Sequence, residues 1–168
     1  MIWILSTCKE KLSELEFVKP VKEIVEKFDE VKIIKMEDKP EEGKVIITGT
    51  ALADLEYFKK IEKFRWIKDY KDAVLGISSG AQIIAKVFNI ELVPIKKIGV
   101  FETEIFKRKE KAYFLTSYLA RNGEYSIGFS AGLTSAFRVG NKYGVFFHPE
   151  VLNRWIIESF VSKDELFL

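Results

Sequence analysis

The chain has 168 residues, of which 48% are hydrophobic and 31% are charged, and its formal net charge is +2. This length and composition are typical of one globular domain, so we predict a single domain spanning residues 1–168. Because positive and negative side chains are interleaved, the composition excludes the strongly basic surface that nucleic-acid-binding and membrane-binding proteins carry.

The amino terminus and the two rarest reactive residue types indicate the compartment. The first apolar run is too short for a signal peptide or a bilayer-spanning helix. The single cysteine, Cys8, and the single histidine, His148, exclude an internal disulfide and a zinc cluster. We therefore expect a cytoplasmic protein without a metal or another cofactor. The many Lys and Glu residues are typical of proteins from thermophiles.

The first part of the chain alternates between buried strands and amphipathic helices. Continuous apolar runs predict strands over residues 2–6, 31–36 and 44–48. Apolar residues at helical spacing predict helices over residues 18–28 and 52–64.

The pattern changes after the middle of the chain. A fourth buried strand over residues 73–77 leads directly into a helix. A charged segment at 107–111 predicts the first hairpin turn. The chain closes with a strand that begins at Tyr143 and stops at Pro149, followed by a helix over 151–161. Between the fourth and the last strand we predict antiparallel hairpin strands, over residues 92–106, 112–119, 125–129 and 135–139.

This order of elements predicts an α/β fold. We expect a doubly wound, mainly parallel sheet with helices on both faces and a small antiparallel β extension. In such sheets, ligands bind beyond the carboxyl ends of the strands. Gly49 follows the third strand and Ser78 follows the fourth. If these strands are neighbours, as sequential parallel strands often are, the two residues border the same crevice.

The connection after the fourth strand has the pattern Gly76-x-Ser78-x-Gly80. This pattern is typical of a nucleophile elbow, in which a sharp strand-to-helix turn exposes the middle side chain. The helix amino terminus behind it would favour developing negative charge. A plain strand–loop–helix corner has the same spacing, so the pattern alone leaves both interpretations open.

The second candidate segment is His148-Pro149-Glu150, where the last strand meets the last helix. A lone histidine at a strand end is often structural, but this one is followed two residues later by a carboxylate. Glu150 could hold the imidazole in one tautomer, as the third member of a catalytic triad does. Alternatively, Glu150 is an acid at a helix start, stabilised by the helix dipole.

Together the two segments resemble the class I glutamine amidotransferase family. In that family the elbow is Gly-x-Cys-x-Gly-x-Gln, and here residues 76–82 are Gly-Ile-Ser-Ser-Gly-Ala-Gln. The later family motif is Gly-Val-x-Phe-His-Pro-Glu, and here residues 144–150 are Gly-Val-Phe-Phe-His-Pro-Glu. The order and separation of the motifs fit, as does the strand ending in Thr-Gly, and the resemblance covers essentially the whole chain.

The resemblance implies a flavodoxin-like fold and a role for each matched residue. Ser78 takes the place of the nucleophilic cysteine, and His148 and Glu150 match the base and the residue that orients it. The backbone N–H groups of Gly49 and Ser79 correspond to the oxyanion hole. At the end of the elbow motif, Gln82 matches the glutamine that helps to form the substrate pocket. The implied reaction releases ammonia from glutamine for a separate synthetase subunit.

Several positions depart from the family pattern. The nucleophile is Ser78, and a serine hydroxyl must lose its proton during attack, whereas a cysteine thiol is readily ionised. Ala81 stands where the family often has histidine, residues 48–51 carry one glycine instead of several, and residues 116–121 lack a common histidine. The additional departures favour natural drift over an engineered Cys-to-Ser change. We expect weak or absent catalysis.

Three functions therefore remain open. The chain could be a working glutaminase that acts on glutamine or a similar small amide and supplies ammonia to a synthetase. It could be a regulatory subunit that retains the fold without catalysis. It could also be a serine hydrolase or peptidase using Ser78, His148 and Glu150. The motifs do not distinguish among these functions.

Overall fold

Nine strands form one mixed sheet in the computed structural model, which describes residues 1–163. The strands are β1 Ile2–Leu5, β2 Val31–Ile34, β3 Val45–Ile47, β4 Val74–Ile77, β5 Leu92–Ile105, β6 Arg108–Ala120, β7 Ser126–Ser130, β8 Leu133–Val139 and β9 Lys142–Val145. Their spatial order is β2-β1-β3-β4-β9-β8-β6-β5-β7. The predicted mixed α/β architecture is confirmed.

The first five strands in this order are parallel. β1 pairs with β2 and β3, β3 pairs with β4, and β4 pairs with β9. All four residues of β4 are buried, because covered parallel strands have no solvated face. The adjacency of β3 and β4 places Gly49 and Ser78 at the same edge of the sheet, as the sequence predicts.

The remaining strands form the antiparallel part. β5 and β6 make one long hairpin, and β7 pairs with both β5 and β8. The first hairpin turn lies at Phe106 and Lys107, both with positive φ, and pairing resumes at once between Ile105 and Arg108. The prediction of a turn over residues 107–111 was therefore wrong beyond Lys107, because its charged side chains belong to a strand that is largely exposed at this end.

In the described part of the chain, residues 1–163, six α-helices connect and cover the strands: α1 Glu14–Phe17, α2 Lys19–Val25, α3 Glu56–Lys59, α4 Ser79–Val87, α5 Pro149–Leu152 and α6 Arg154–Ser162. α4 packs on β3, β4 and β9, whereas α2 packs against α5 and α6. None of the helices within residues 1–163 has the length and apolar character needed to cross a bilayer.

Three predicted helices differ from the observed ones. Residues 18–28 form a helix only over Lys19–Val25. Residues 52–64 form the single turn of α3, and a 3-10 helix follows over Ile61–Lys68. The predicted helix 151–161 begins earlier, at Pro149, and is interrupted at Asn153, which has φ of −131° and ψ of 50°. The Asn153 side chain donates to the carbonyl of Lys111 on β6, so this residue serves a tertiary contact at the break.

Candidate active site at the carboxyl edge of the sheet

Ser78 is the single residue between β4 and α4. Its φ of 53° and ψ of −105° lie in a region that non-glycine residues rarely occupy, and such strain is typical of functional turns. A Cβ on Gly76 would lie 2.4 Å from the Gly80 carbonyl oxygen, and one on Gly80 would lie 2.2 Å from the Ile47 carbonyl oxygen. Both glycines are therefore required for the close approach of helix and strands, and the turn has the geometry of a nucleophile elbow.

His148 lies just beyond β9, at the residue that precedes α5. Its Nδ1 is 2.9 Å from Oε2 of Glu150, so the predicted pair is in contact. Both side chains are almost completely buried. The imidazole also packs near the rings of Phe17 and Tyr113, with centroid separations of 5.6 and 6.1 Å. These contacts restrict the ring to one orientation.

Gly49 brings Ser78 and His148 together. A Cβ at Gly49 would lie 2.6 Å from Cε1 of His148 and 3.3 Å from Cβ of Ser78. The serine, the imidazole and the Gly49 backbone therefore meet at one point, and there is no room for a side chain at position 49. All three segments come from neighbouring parallel strands, β3, β4 and β9.

Ser79 contributes to this region through its backbone and its side chain in different ways. Its hydroxyl bonds to the Thr48 carbonyl at 3.1 Å and to the Thr7 hydroxyl at 2.9 Å, which ties α4 to the segments that follow β1 and β3. Its N–H is at the first position of α4, where helical N–H groups have no partner within the helix. Together with the Gly49 N–H, it could stabilise an oxyanion beside Ser78.

Ser78 and His148 do not form a hydrogen bond with each other. The Ser78 hydroxyl donates to the carbonyl oxygen of Leu115 at 3.2 Å. Nε2 of His148 lies 3.4 Å from the same oxygen. The carbonyl of Leu115 thus lies where the serine–histidine contact of a catalytic triad would be.

The side-chain amide of Gln82 is already engaged. Its Oε1 accepts from the Tyr57 hydroxyl at 2.6 Å, and its Nε2 donates to Oγ1 of Thr116 at 3.2 Å. Burial raises the pKa of the Tyr57 phenol, with further contributions from Tyr118 and Asp54. The hydroxyl therefore keeps its proton and donates it to Gln82 in the hydrogen bond. Gln82 therefore joins α4 to β6 in this structure, and its proposed contact with a substrate would require these bonds to rearrange.

Sequence reasoning missed Tyr57, Leu115 and Thr116. Leu115 acts through its backbone carbonyl, so its side-chain type gives no signal. Tyr57 and Thr116 lie 25 residues before and 34 residues after Gln82, and only the fold brings them together. The sequence shows an aromatic residue at position 57 and no histidine in residues 116–121. Neither feature predicts a contact with Gln82.

Cys8 lies close to the same edge without joining the group. Its thiol contacts the carbonyl oxygen of Gly49 at 3.6 Å. Burial raises its pKa, so the thiol stays protonated, as expected of a small half-buried residue. No cluster of three or more potential metal ligands occurs within residues 1–163.

Solved structures provide the comparison with known proteins. A protein from Thermoplasma acidophilum described as a GMP synthase subunit matches with a TM-score of 0.81 at 18% identity, over 95% of this chain and 91% of that one. A glutamine amidotransferase from Thermotoga maritima matches with a TM-score of 0.64 at 16% identity, over 94% and 82% of the two chains. This chain shares the glutamine amidotransferase fold.

The PurLQS structure from Thermotoga maritima extends the comparison, with a TM-score of 0.66 at 13% identity over 97% of this chain and 92% of that one. No protein-family model and no curated protein matches this sequence at a significant level. At these identities the similarity establishes the glutamine amidotransferase fold, and the chemistry must be argued from the residues of the site.

Proposed function

We propose that this chain is a class I glutamine amidotransferase-like protein that binds glutamine or a similar small amide at Ser78. We further propose that the parallel half of the sheet is doubly wound in the flavodoxin-like manner. The main support is the convergence of Ser78, His148 and Glu150 around Gly49, at the edge of the sheet where α/β proteins bind ligands.

In the proposed reaction, Oγ of Ser78 attacks the side-chain amide carbon of glutamine, and Nε2 of His148 receives the hydroxyl proton. The N–H groups of Gly49 and Ser79 stabilise the resulting oxyanion. The carbon–nitrogen bond then breaks, His148 returns the proton to the leaving nitrogen, and ammonia departs. Water hydrolyses the glutamyl ester to glutamate and regenerates Ser78.

Catalysis with Ser78 is expected to be weak or absent. A cysteine in this place could form a thiolate beside an imidazolium, whereas a serine hydroxyl stays protonated until attack. In addition, the Ser78 hydroxyl donates to Leu115 instead of His148. A chain that binds its amide without rapid turnover would serve in a regulatory role.

The proposed recipient of ammonia is a separate synthetase. Support comes from the fold neighbours, one described as part of GMP synthase and one solved as PurLQS. Ammonia released at Ser78 would leave the carboxyl edge of the sheet and react at the active site of that synthetase.

A serine hydrolase or peptidase is the second candidate. The observation that favours it is the complete Ser-His-Glu set on a strained elbow, since serine hydrolases use this arrangement. A hydrolase of this type would react with a serine-directed fluorophosphonate at Ser78. It would not release ammonia from glutamine.

One experiment separates the candidates. Wild type, Ser78→Cys and Ser78→Ala are incubated with glutamine, with and without cell extract, and ammonia is measured. Ammonia from Ser78→Cys but not Ser78→Ala supports a glutamine site that lacks its usual nucleophile. No ammonia from any variant, together with fluorophosphonate labelling of wild-type Ser78, would overturn the amidotransferase proposal in favour of the hydrolase.

A further inference from the structure

One edge of β6 faces the candidate site. Carbonyl groups of alternate residues point to the same edge of a strand. On β6, three such carbonyls accept hydrogen bonds from residues in or beside the candidate site. Nδ2 of Asn153 donates to the Lys111 carbonyl at 3.0 Å, and the His148 N–H donates to the Tyr113 carbonyl at 2.8 Å. The carbonyl of Leu115 is the next in this series.

The Leu115 carbonyl occupies the position that a reacting group needs. It lies 3.2 Å from Oγ of Ser78 and 3.4 Å from Nε2 of His148. A substrate carbonyl must come to about 3 Å from the nucleophile, within reach of the base. Ser78 is 3% exposed and His148 is 1% exposed, so a ligand cannot approach them while β6 stays in place.

The same contact separates the base from the nucleophile. Nδ1 of His148 faces the carboxylate of Glu150, and Nε2 faces the carbonyl of Leu115. Both partners are acceptors, and neither nitrogen of the ring faces the hydroxyl of Ser78 as its hydrogen-bond partner. The Ser78 hydroxyl donates to the Leu115 carbonyl instead of Nε2, so the proton relay is interrupted in this arrangement.

A latch formed by side chains holds β6 at this point. Oγ1 of Thr116 accepts from Nε2 of Gln82, and Gln82 in turn accepts from the Tyr57 hydroxyl. These hydrogen bonds join the residue after Leu115 to α4, directly behind the elbow. They do not involve Ser78 or His148, so the latch can be altered without changing the candidate catalytic groups.

The pairing of β6 is irregular at one residue next to the latch. The ladder between β5 and β6 shifts register between Pro94 and Lys97, so two residues of β5 oppose Ser117 alone. A bulge of this kind interrupts the hydrogen bonds of the ladder. On its other edge, β6 pairs with β8 at Ala120 and Thr134 only. Leu115 and Thr116 keep their ladder partners Ile98 and Lys97 on β5, and the contacts with the site and the latch hold these residues on the other side.

We propose that residues 115–117, here named the strap, occlude the candidate site in the resting protein and must move before an amide can reach Ser78. The entry of an amide rests on the proposed function, whereas the position of the strap rests on its hydrogen bonds to Ser78 and Gln82. Displacement breaks the bond between Gln82 and Thr116 and removes the Leu115 carbonyl from Ser78 and His148. Ser78 can then donate to His148, so ligand entry and assembly of the relay occur together.

Thiol alkylation tests the strap without glutamine. In a chain carrying Cys8→Ser and Ser78→Cys, residue 78 is the sole thiol, and iodoacetamide modification of it is followed by peptide mass spectrometry. Thr116→Val removes the latch bond together with the bonds of Oγ1 to the Tyr118 backbone. We expect it to raise the alkylation rate by about fivefold or more, since one hydrogen bond of about 1 kcal/mol corresponds to about fivefold. Thr103→Val is the matched control, since Thr103 is equally buried on β5 and bonds to Phe129.

The expected result is slow alkylation in the parent, acceleration by Thr116→Val and no change with Thr103→Val. Alkylation of the parent at the rate of an unfolded chain, or an equal effect of both substitutions, would overturn the strap. Because the readout needs no substrate, it stands even if no variant releases ammonia.

Hydrogen exchange of the unaltered chain gives a second test that requires no substitution. We expect amides at residues 115–118 to exchange about tenfold faster than those at 111–114, because local opening precedes global unfolding. Equal protection of both segments would show that the strap is a fixed part of the sheet and would contradict the proposal.

Discussion

Nδ1 of His148 lies 2.9 Å from Oε2 of Glu150, with the single residue Pro149 between them. The proline fixes one backbone dihedral in this short segment, and the carboxylate is buried with the imidazole. The other carboxylate oxygen, Oε1, has no hydrogen-bond partner within residues 1–163. The imidazole is thus the partner that holds Glu150 in place, and each residue restricts the other.

Glu150→Gln is expected to destabilise the fold by about 1–3 kcal/mol, because the amide buries an N–H group and loses the charge that pairs with the imidazole. Urea unfolding measures this cost. Since His148 is the only histidine, the nitrogen-15 signals of its ring can be assigned directly, and the variant should show a changed population of the Nδ1-protonated form. An unchanged ring spectrum would contradict the proposed orienting role of Glu150.

Gly49→Ala tests the close approach of the β3 loop to the site. The new Cβ would lie 2.6 Å from Cε1 of His148, so the ring must shift, at a cost of about 1–3 kcal/mol. Gly132→Ala is the control, since its Cβ meets nothing within 4 Å and its cost comes from a φ of +77° alone. Only Gly49→Ala should alter the His148 ring signals; identical spectra for both variants would argue against this contact.

The helix–strand contact behind the elbow depends on Gly80. In Gly80→Ala, the added Cβ would lie 2.2 Å from the carbonyl oxygen of Ile47, a backbone atom that cannot rotate away. We expect a loss of more than about 3 kcal/mol in the free energy of unfolding, or failure to fold. A urea midpoint close to that of wild type would show that α4 does not lie against β3 as described.

The parts of the site that the sequence could predict are those carried by short motifs. The Gly-x-Ser-x-Gly pattern specifies the turn at Ser78, because its glycines permit the contacts that the strained serine requires. His148 and Glu150 are near neighbours in the chain, so their pairing follows from local spacing. The adjacency of β3 and β4 follows from the preference of sequential parallel strands to be neighbours.

The parts that could not be predicted depend on long-range contacts. The role of Leu115 comes from a backbone carbonyl, which every residue has, and that of Thr116 from the packing of β6 over α4. The helix predicted over 52–64 was reduced to one turn and a 3-10 segment, although its apolar spacing suits either form. Local pattern thus identified the candidate nucleophile and its base, and missed the strand that covers them.

Lys97 provides a pH-dependent test of the hairpin core. It is 8% exposed and lies over the rings of Phe101 and Phe114, at 4.2 and 5.1 Å from their centroids. Desolvation by burial lowers the pKa of this ammonium below its ordinary value of 10.5. Between the lowered pKa and 10.5, the unfolded chain binds more protons than the folded chain, so wild-type stability contributed by this group rises with pH.

Lys97→Met keeps the apolar volume and removes the charge. We expect the variant to be more stable than wild type at pH 7, by up to about 1 kcal/mol, and the difference to shrink as the pH rises towards the ordinary lysine pKa. Urea unfolding of both proteins across this range measures the difference, in which the contributions of other groups cancel. A difference that grows with pH would contradict the assigned direction of the shift.

The most direct test of the amide-binding site is covalent capture at residue 78. Ser78→Cys combined with Thr116→Val is incubated with glutamine, quenched in acid and examined by peptide mass spectrometry, with the same chain carrying His148→Ala as control. We predict a glutamyl adduct on residue 78 that is absent from the control. A chain whose residue 78 reacts freely with iodoacetamide, yet carries no glutamyl adduct and releases no ammonia, would contradict the proposed amide site.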